Sequence, residues 1–227
     1  MARRFRLRSR ALAPDHDGER AQAQAGRPSS QSWWVLAALL ALGSLLAAGL
    51  EPQHFDWQPA MAMSQPWRWW TAAWVHWSDA HRWANVAGAL LVGALGWRAG
   101  CDRLDGLAWF VAWPLTQLGL LMQPSLAHYG GLSGVLHAGV VVVAISLWQR
   151  ERGPRRWLGA AMLAGVVLKV LLERPWHAVL QTVPGWDIAI APGAHLSGAV
   201  MGASCALAAV AMRRRDGAPD EAENVIA

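Results

Sequence analysis

Charged residues are scarce in this chain of 227 amino acids: Asp, Glu, Lys and Arg make up 15% of it, against about 25% in soluble globular domains. Hydrophobic residues make up 54%, and there are 16 tryptophans. Segments 33–50 and 194–212 contain no acidic residue, lysine or arginine. This composition excludes a disordered chain, disfavours a soluble core and indicates an all-α, polytopic membrane protein.

Three further absences narrow the function classes. Only two cysteines are present, Cys101 and Cys205, which do not make a disulfide framework. The net charge of +5 comes without a basic module interleaved with aromatic residues. We therefore expect basic residues that flank membrane helices, and no nucleic-acid partner. His-Glu-x-x-His is absent, which disfavours an intramembrane metalloprotease, and we expect no metal site or cofactor.

Six apolar windows recur along the chain, each close to the ~20 residues that a membrane-spanning helix needs. They cover residues 33–50, 81–97, 104–122, 131–148, 157–172 and 194–212. We expect a six-transmembrane-helix bundle over residues 31–213. A disordered basic cytoplasmic tail is expected at 1–30 and a short cytoplasmic tail at 214–227.

The basic residues give this bundle an orientation, because 16 of the 20 lysines and arginines lie on one predicted side. Seven precede the first span, two lie between the second and third, four between the fourth and fifth, and three after the sixth. Cytoplasmic loops are enriched in Lys and Arg, so we expect both termini in the cytoplasm. Segments 51–80 and 173–193 are then outer loops, the first lying in the membrane interface.

Strongly polar side chains near the outer ends of three spans are functional candidates, because such groups are costly inside a membrane. Each can be placed by counting to the first cytoplasmic arginine of its span. The counts are 17 residues from Ser133 to Arg150, 18 from His195 to Arg213, and 17 from His81 to Arg98. At 1.5 Å per residue all three side chains lie about 26 Å above the inner boundary. Asn85 follows His81 by one helical turn on the same face.

This set of side chains suits covalent catalysis. A serine hydroxyl becomes a nucleophile when a base, usually histidine, lies within hydrogen-bond reach. His81, Asn85 and the backbone N–H of Ser133 could donate to an oxyanion. Gly131 and Gly134 would allow a sharp turn and the close approach of a substrate or helix. No carboxylate lies at this depth in the three spans, so we expect a Ser-His dyad rather than a triad.

Each of these residues also has an ordinary structural interpretation. A serine in a membrane helix commonly bonds its own i−4 carbonyl, and a lone His or Asn often bridges two helices. Gly198 and Gly202, which lie four residues apart near His195, first of all predict a close-packing helix face. Joint occurrence at one depth is what favours a catalytic site.

Three motifs contain these residues. They are Trp67-Arg68-x-x-Thr71 followed by His76, His81 and Asn85; Gly131-Leu132-Ser133-Gly134; and Ala194-His195-Leu196-Ser197-Gly198-x3-Gly202. Together they resemble the rhomboid family of intramembrane serine proteases over roughly residues 33–212. Ser197 stands where that family usually has glycine.

The resemblance implies a role for each motif residue. Ser133 would be the nucleophile and His195 its general base, while His81 and Asn85 would be oxyanion donors. The fifth span and the loop after it would form the substrate gate.

Further roles follow for the neighbouring residues. Trp67 and Arg68 would anchor the first loop, and His76 would be a structural histidine near the site. In many rhomboids the position of His137 is aromatic and stacks on the catalytic histidine. A rival interpretation makes His137 the base, because it lies four residues after Ser133 on the same helix face; that spacing rarely brings the hydroxyl within reach, which favours His195.

The run Gly-Leu-Ser-Gly-Val-Leu-His at 131–137 is most similar to the rhombosortase branch. This implies a multi-pass protein of the bacterial inner membrane with its active site on the periplasmic side. Its substrates would be single-spanning membrane proteins, cleaved at C-terminal sorting signals with a Gly-Gly motif, a span and a basic tail.

Two other function classes remain as alternatives. One is a catalytically inactive, rhomboid-like protein that binds membrane helices for quality control, although such proteins typically lack the serine or the histidine. The other is a metal or proton transporter that uses the histidines. It would need carboxylate or cysteine partners at the same level, and the sequence suggests none.

Overall fold

The computed structural model describes residues 31–216, in which seven α-helices and no β-strand occur. The helices are α1 (Gln31–Leu46), α2 (Arg68–Thr71), α3 (Asp79–Ala99), α4 (Arg103–Gly119), α5 (Ser133–Arg150), α6 (Gly153–Glu173) and α7 (Pro192–Asp216). Short 3₁₀ turns occupy Ala47–Gly49, Pro52–His54, Pro59–Met61, Ala72–Trp74 and Leu120–Met122. The all-α prediction is confirmed for this part of the chain. The predicted tail at 1–30 and the end of the C-terminal tail, 217–227, lie outside the described residues.

Within residues 31–216, three helical segments are long and apolar enough to cross a membrane: Gln31–Gly49, Ser133–Arg150 and Pro192–Arg215. Large apolar side chains are exposed on the outer faces of several helices, including Leu42, Leu46, Leu90, Leu91, Val167, Leu168, Leu172, Val200 and Leu207. Exposed apolar surface on this scale marks a membrane or protein contact. A membrane around the bundle would account both for these exposed apolar side chains and for the three apolar segments.

Helix α5 is the centre of the bundle and packs against α3, α4, α6 and α7. Most of its valines and both of its alanines are buried together with several tryptophan rings. The Trp109 indole N–H donates to the Val135 carbonyl at 2.9 Å, and that of Trp33 donates to the Val92 carbonyl at 3.2 Å. Each ring therefore buries a large apolar area while its one donor is satisfied.

Helices α5 and α7 approach closely because glycines face backbone across the contact. A Cβ atom at Gly202 would lie 2.6 Å from the Ala138 Cα, and one at Gly134 would lie 2.7 Å from the Ala194 carbonyl oxygen. Gly198 faces the backbone of Gly134 in the same way. The close-packing face predicted for Gly198 and Gly202 is thus present, and it brings the start of α7 against the start of α5.

The opposite ends of these helices share one ion-pair network. Arg150 of α5 contacts Asp102 at 3.0 Å and Asp105 at 2.9 Å, while Arg213 of α7 contacts the same carboxylates at 2.6 and 2.8 Å. Asp102 and Asp105 also form the capping box of α4. Burial alone raises the pKa of Asp102, but the hydrogen bonds and charges of Arg213 and Arg150 outweigh it and hold that pKa below its usual range.

The irregular segment between α1 and α3 is organised by the buried side chain of Arg68. Its guanidinium donates to the Asp56 carboxylate at 2.9 Å, to the Asp56 carbonyl at 2.7 Å and to the Gln53 carbonyl at 3.0 Å. Thr71 adds a hydrogen bond to the Phe55 carbonyl at 2.7 Å. The Trp67 ring is 48% exposed. Arg68 therefore provides the anchor expected of this motif, whereas the Trp67 ring lies largely on the surface.

Candidate active site

Ser133 is the first residue of α5 and follows a sharp turn at Gly131. Gly131 has φ +137°, a value that side chains rarely permit. Its N–H donates to the Ala72 carbonyl at 2.9 Å, and its carbonyl accepts from the Tyr129 hydroxyl at 3.1 Å. Tyr129 and Trp57 exchange backbone hydrogen bonds at 2.7 and 2.9 Å. The turn that presents Ser133 is thus fixed to the first loop.

His195 lies in the first turn of α7, and its Nε2 is 2.8 Å from the Ser133 Oγ. The close glycine packing of α5 and α7 makes this distance possible, because a bulkier contact would hold the two helix ends apart. Ser197, two residues later, donates to the Thr116 carbonyl at 2.8 Å and links α7 to α4. The hydroxyl at this unusual position therefore has a backbone partner away from the Ser133–His195 contact.

A carboxylate completes this arrangement, contrary to the expectation of a dyad. Oε2 of Glu173, the last residue of α6, is 2.7 Å from the His195 Nδ1. The prediction of a dyad considers only the three spans that carry Ser133, His195 and His81. Glu173 belongs to a different helix, α6, which contains the apolar window 157–172. Its other oxygen forms an ion pair with Lys169, one turn earlier and the only lysine in the chain.

This carboxylate determines which nitrogen of His195 carries the proton. An ionised carboxylate can only accept hydrogen bonds. In the neutral ring the proton therefore sits on Nδ1, which donates to Glu173, and Nε2 has a free lone pair that accepts from the Ser133 hydroxyl. Ser133, His195 and Glu173 thus form a continuous chain of hydrogen bonds with the polarity that nucleophile activation requires.

His137 stacks on His195, with ring centroids 4.3 Å apart and planes 17° apart. Its Nδ1 is 2.7 Å from the Ser133 carbonyl oxygen, an acceptor, so Nδ1–H is the donor. The contact to the Ser133 hydroxyl belongs to His195, and His137 takes the stacking position. The geometry therefore favours His195 over His137 as the partner of the hydroxyl.

His81 and Asn85 line the same cavity as Ser133 and His195, a space of about 630 Å³. The Asn85 side-chain amide donates one N–H to the His81 carbonyl at 3.0 Å. An amide nitrogen has two N–H groups, so the second remains available to a group in the cavity. The His81 Nδ1 is buried without a hydrogen-bond partner among the described residues. The two side chains predicted as oxyanion donors therefore share one site with the predicted nucleophile.

The segment between α6 and α7 covers this cavity. Leu180, Trp186 and Ile188–Ala191 line it, and the Trp186 ring lies edge-on to the His81 ring with centroids 6.0 Å apart. The Ser78 hydroxyl donates to the Asp187 carboxylate at 2.6 Å and also caps α3. The cover is therefore attached directly to the start of the helix that carries His81 and Asn85.

His76 lies beside the site rather than in it. Its ring is 5.0 Å from that of His81, and its Nδ1–H donates to the Trp74 carbonyl at 3.0 Å. Burial lowers the pKa of His76 to about 4; His81 and Arg82 act in the same direction, and the bond to Trp74 opposes them. His76 is therefore neutral in the folded protein near pH 7, as a structural histidine would be.

Glu173 and Tyr129 both line the cavity and are absent from the residues predicted from the sequence. Glu173 had a signal: it lies 17 residues after Arg156, the same count that placed Ser133 and His81. The count was applied only to spans that run inward from the outer face. Tyr129 had no comparable signal, since it belongs to an irregular segment. Burial raises the pKa of Tyr129 to about 12, so its hydroxyl remains a donor.

Comparison with protein families and with curated proteins identifies no relative of this chain. No protein-family model matches the chain, and no curated protein matches its sequence. Among residues 31–216, no group of three or more His, Cys, Asp or Glu side chains is placed to hold a metal ion. The function is therefore inferred from the geometry of the site.

Proposed function

We propose that this protein is an intramembrane serine endopeptidase of the rhomboid type. The observation that carries the proposal is the 2.8 Å contact between the Ser133 Oγ and the His195 Nε2. It lies inside a cavity that His81 and Asn85 also line, within a helical bundle that contains three segments apolar enough to cross a membrane. The turn at Gly131, the stacked ring of His137 and two further donors surround this contact. A hydrogen bond between two polar residues with only a structural role would not require these features.

The chemistry would proceed by acyl transfer. The Ser133 Oγ attacks the scissile carbonyl carbon while its proton passes to the His195 Nε2. His81 and the free N–H of Asn85 stabilise the oxyanion. The C–N bond then breaks, and His195 returns the proton to the leaving amine. Water, activated by His195, hydrolyses the acyl-enzyme.

The architecture proposed for this enzyme is a six-span bundle with both termini in the cytoplasm. Helices α1, α3, α4, α5, α6 and α7 coincide with the six apolar windows, and the basic residues cluster beyond one end of them. The cavity lies at the opposite end, which would face the periplasm of a bacterial cell. The rhombosortase-like heptapeptide supports substrates with a C-terminal Gly-Gly, a single span and a basic tail.

The lateral groove between α3, α5 and α6 suits such a substrate. It has a volume of about 460 Å³ and is lined mainly by apolar side chains, among them Leu91, Leu136, Leu158 and Met162. A substrate helix beside α6 would bring its end towards the cavity over Ser133. This agrees with the gate that the resemblance assigns to the fifth span and the loop after it.

Labelling with a fluorophosphonate probe tests the proposal, because such probes react with activated serines. We expect the wild-type protein in detergent to be labelled, Ser133→Ala to be unlabelled and Ser204→Ala to be labelled as the wild type is. Ser204 is a suitable control because its exposed hydroxyl bonds only the Val200 carbonyl of its own helix among the contacts described. An unlabelled wild type would favour the inactive, helix-binding alternative.

A second experiment addresses the substrate. A single-spanning reporter ending in Gly-Gly, a span and an arginine tail would be co-expressed in a bacterial host. We expect its tail to be removed by the wild type and retained with Ser133→Ala. A wild-type protein that is not labelled by the probe would refute the peptidase function itself. A wild-type protein that is labelled but does not cleave this reporter would refute only the substrate class.

A further inference from the structure

The carboxylate of Glu173 has no counterpart in a Ser-His dyad. Glu173 lies at the end of α6, which packs against α5, and its side chain reaches the face of His195 that points away from Ser133. Its two oxygens have different partners: one is 2.7 Å from the His195 Nδ1, and the other is paired with Lys169. Glu173 and His195 are mostly buried, with side-chain exposures of 15% and 8%. A weakly hydrated carboxylate acts strongly on a neighbouring imidazole.

We propose that Glu173 is a positioning residue that makes the catalytic unit a Ser-His-Glu triad, and that Lys169 sets the strength of its effect on His195. The inference depends on the proposed peptidase function. During attack, the Ser133 proton moves to the His195 Nε2 while Nδ1–H stays bonded to Glu173, which remains ionised. The imidazolium formed is stabilised by this carboxylate, and the proton leaves with the amine product from Nε2.

Lys169 gives this arrangement a second, opposing charge. Its ammonium group is half exposed and pairs with Glu173. The positive charge of Lys169 therefore partly cancels the negative potential that the carboxylate produces at His195. Removing Glu173 leaves a positive charge near the imidazole, whereas removing Lys169 leaves an uncompensated negative charge. The two changes therefore alter the electrostatic potential at the His195 imidazole in opposite directions.

The other polar groups around His195 are the same in both variants. They are Ser133 and His137 on α5, His81 on α3, and Asp187 in the covering segment, close to His81. Helix α4 faces this part of α7 with Thr116, which is uncharged. A difference between the Glu173 and Lys169 variants thus reports on their own charges.

The test is the second-order rate of fluorophosphonate labelling of the full-length protein in detergent between pH 5 and 9. We expect Glu173→Gln to lower the maximal rate about 10²-fold. The acid limb of its pH profile should also move to lower pH, because the negative charge beside the imidazole is gone. Lys169→Gln should move this acid limb to higher pH, and Glu173→Asp should recover part of the rate because the carboxylate is kept.

Glu151→Gln is the matched control, since Glu151 also forms an i,i+4 ion pair, with Arg155, but at the other end of the bundle. It should keep the wild-type rate and pH profile. A purely structural Glu173 would change the thermal unfolding midpoint and the amount of active protein without moving the acid limb, and that result would overturn the proposal. A wild type with no Ser133-dependent labelling would instead refute the peptidase function.

Discussion

The imidazoles of His137 and His195 are stacked 4.3 Å apart, and the His137 Nδ1–H is bound to the Ser133 carbonyl at 2.7 Å. His137 therefore fixes two features at once: the tilt of the ring that contacts the Ser133 hydroxyl and the backbone of Ser133 itself. Its position on the helix turn after Ser133 makes both contacts possible. His137 therefore packs against and orients the site, whereas His195 is the residue placed to act as the base.

Replacing His137 with phenylalanine should leave most of the activity, because a phenyl ring keeps the stacked surface. His137→Ala should lower the rate of fluorophosphonate labelling by roughly three- to tenfold, the equivalent of about 1 kcal/mol of ring contact. His195→Ala should abolish labelling and serves as the reference. If His137→Phe were as inactive as His195→Ala, the stacked surface alone would not account for the role of His137.

Adding one methyl group at Gly202 should destabilise the bundle. The new Cβ would lie 2.6 Å from the Ala138 backbone, so α5 and α7 would be forced apart at a cost of about 1–3 kcal/mol. Gly165→Ala is the control, since nothing lies within 4 Å of a Cβ there. That change should raise stability by up to about 1 kcal/mol, because glycine is unfavourable in a helix. Thermal unfolding in detergent distinguishes the two, and equal midpoints would contradict the packing argument.

Acidification should destabilise the fold through His76. Its pKa is lowered by burial to about 4 in the folded protein, against an ordinary 6.5. Between these values the unfolded chain binds a proton that the folded protein excludes, so the free energy of unfolding falls as pH drops from about 6.5 to about 4. Above pH 6.5 both states are neutral at this residue, and His76 causes no pH dependence.

The measurement is the thermal midpoint of wild type and His76→Gln across pH 4 to 7. We expect the variant to lose part of the acid sensitivity. His54→Gln, at an exposed histidine of the same loop, should keep the wild-type dependence. Parallel curves for wild type and His76→Gln would show that another group causes the acid effect.

The level of the site could be predicted from the sequence because two arginines mark a common origin. Arg150 and Arg213 were used to count back to Ser133 and His195, and the structure has both arginines on the same two carboxylates. Counts of 17 and 18 residues from a shared point give heights that differ by only about 1.5 Å in straight helices. Which faces meet could not be counted, because it depends on the glycine contacts between α5 and α7.

The count from Arg156 gives the level of Glu173 but not its role, because α6 runs towards the outer face and its carboxylate is followed at once by the turn-rich segment. Read alone, Lys169 and Glu173 look like an ordinary i,i+4 surface pair. The anchoring of the first loop was only partly predictable. Two of the four hydrogen bonds of Arg68 go to the backbone carbonyls of Gln53 and Asp56, partners that leave no pattern in the sequence.

The network of Asp102, Asp105, Arg150 and Arg213 has a consequence for how the length of this chain can vary. One inserted residue within α5 or α7 would shift Ser133 or His195 by 1.5 Å and turn it by about 100° relative to the clamped end. The connections between helices carry no such constraint. Insertions in a connection should therefore leave these two heights unchanged, while the spacing from each arginine to its active-site residue is held fixed.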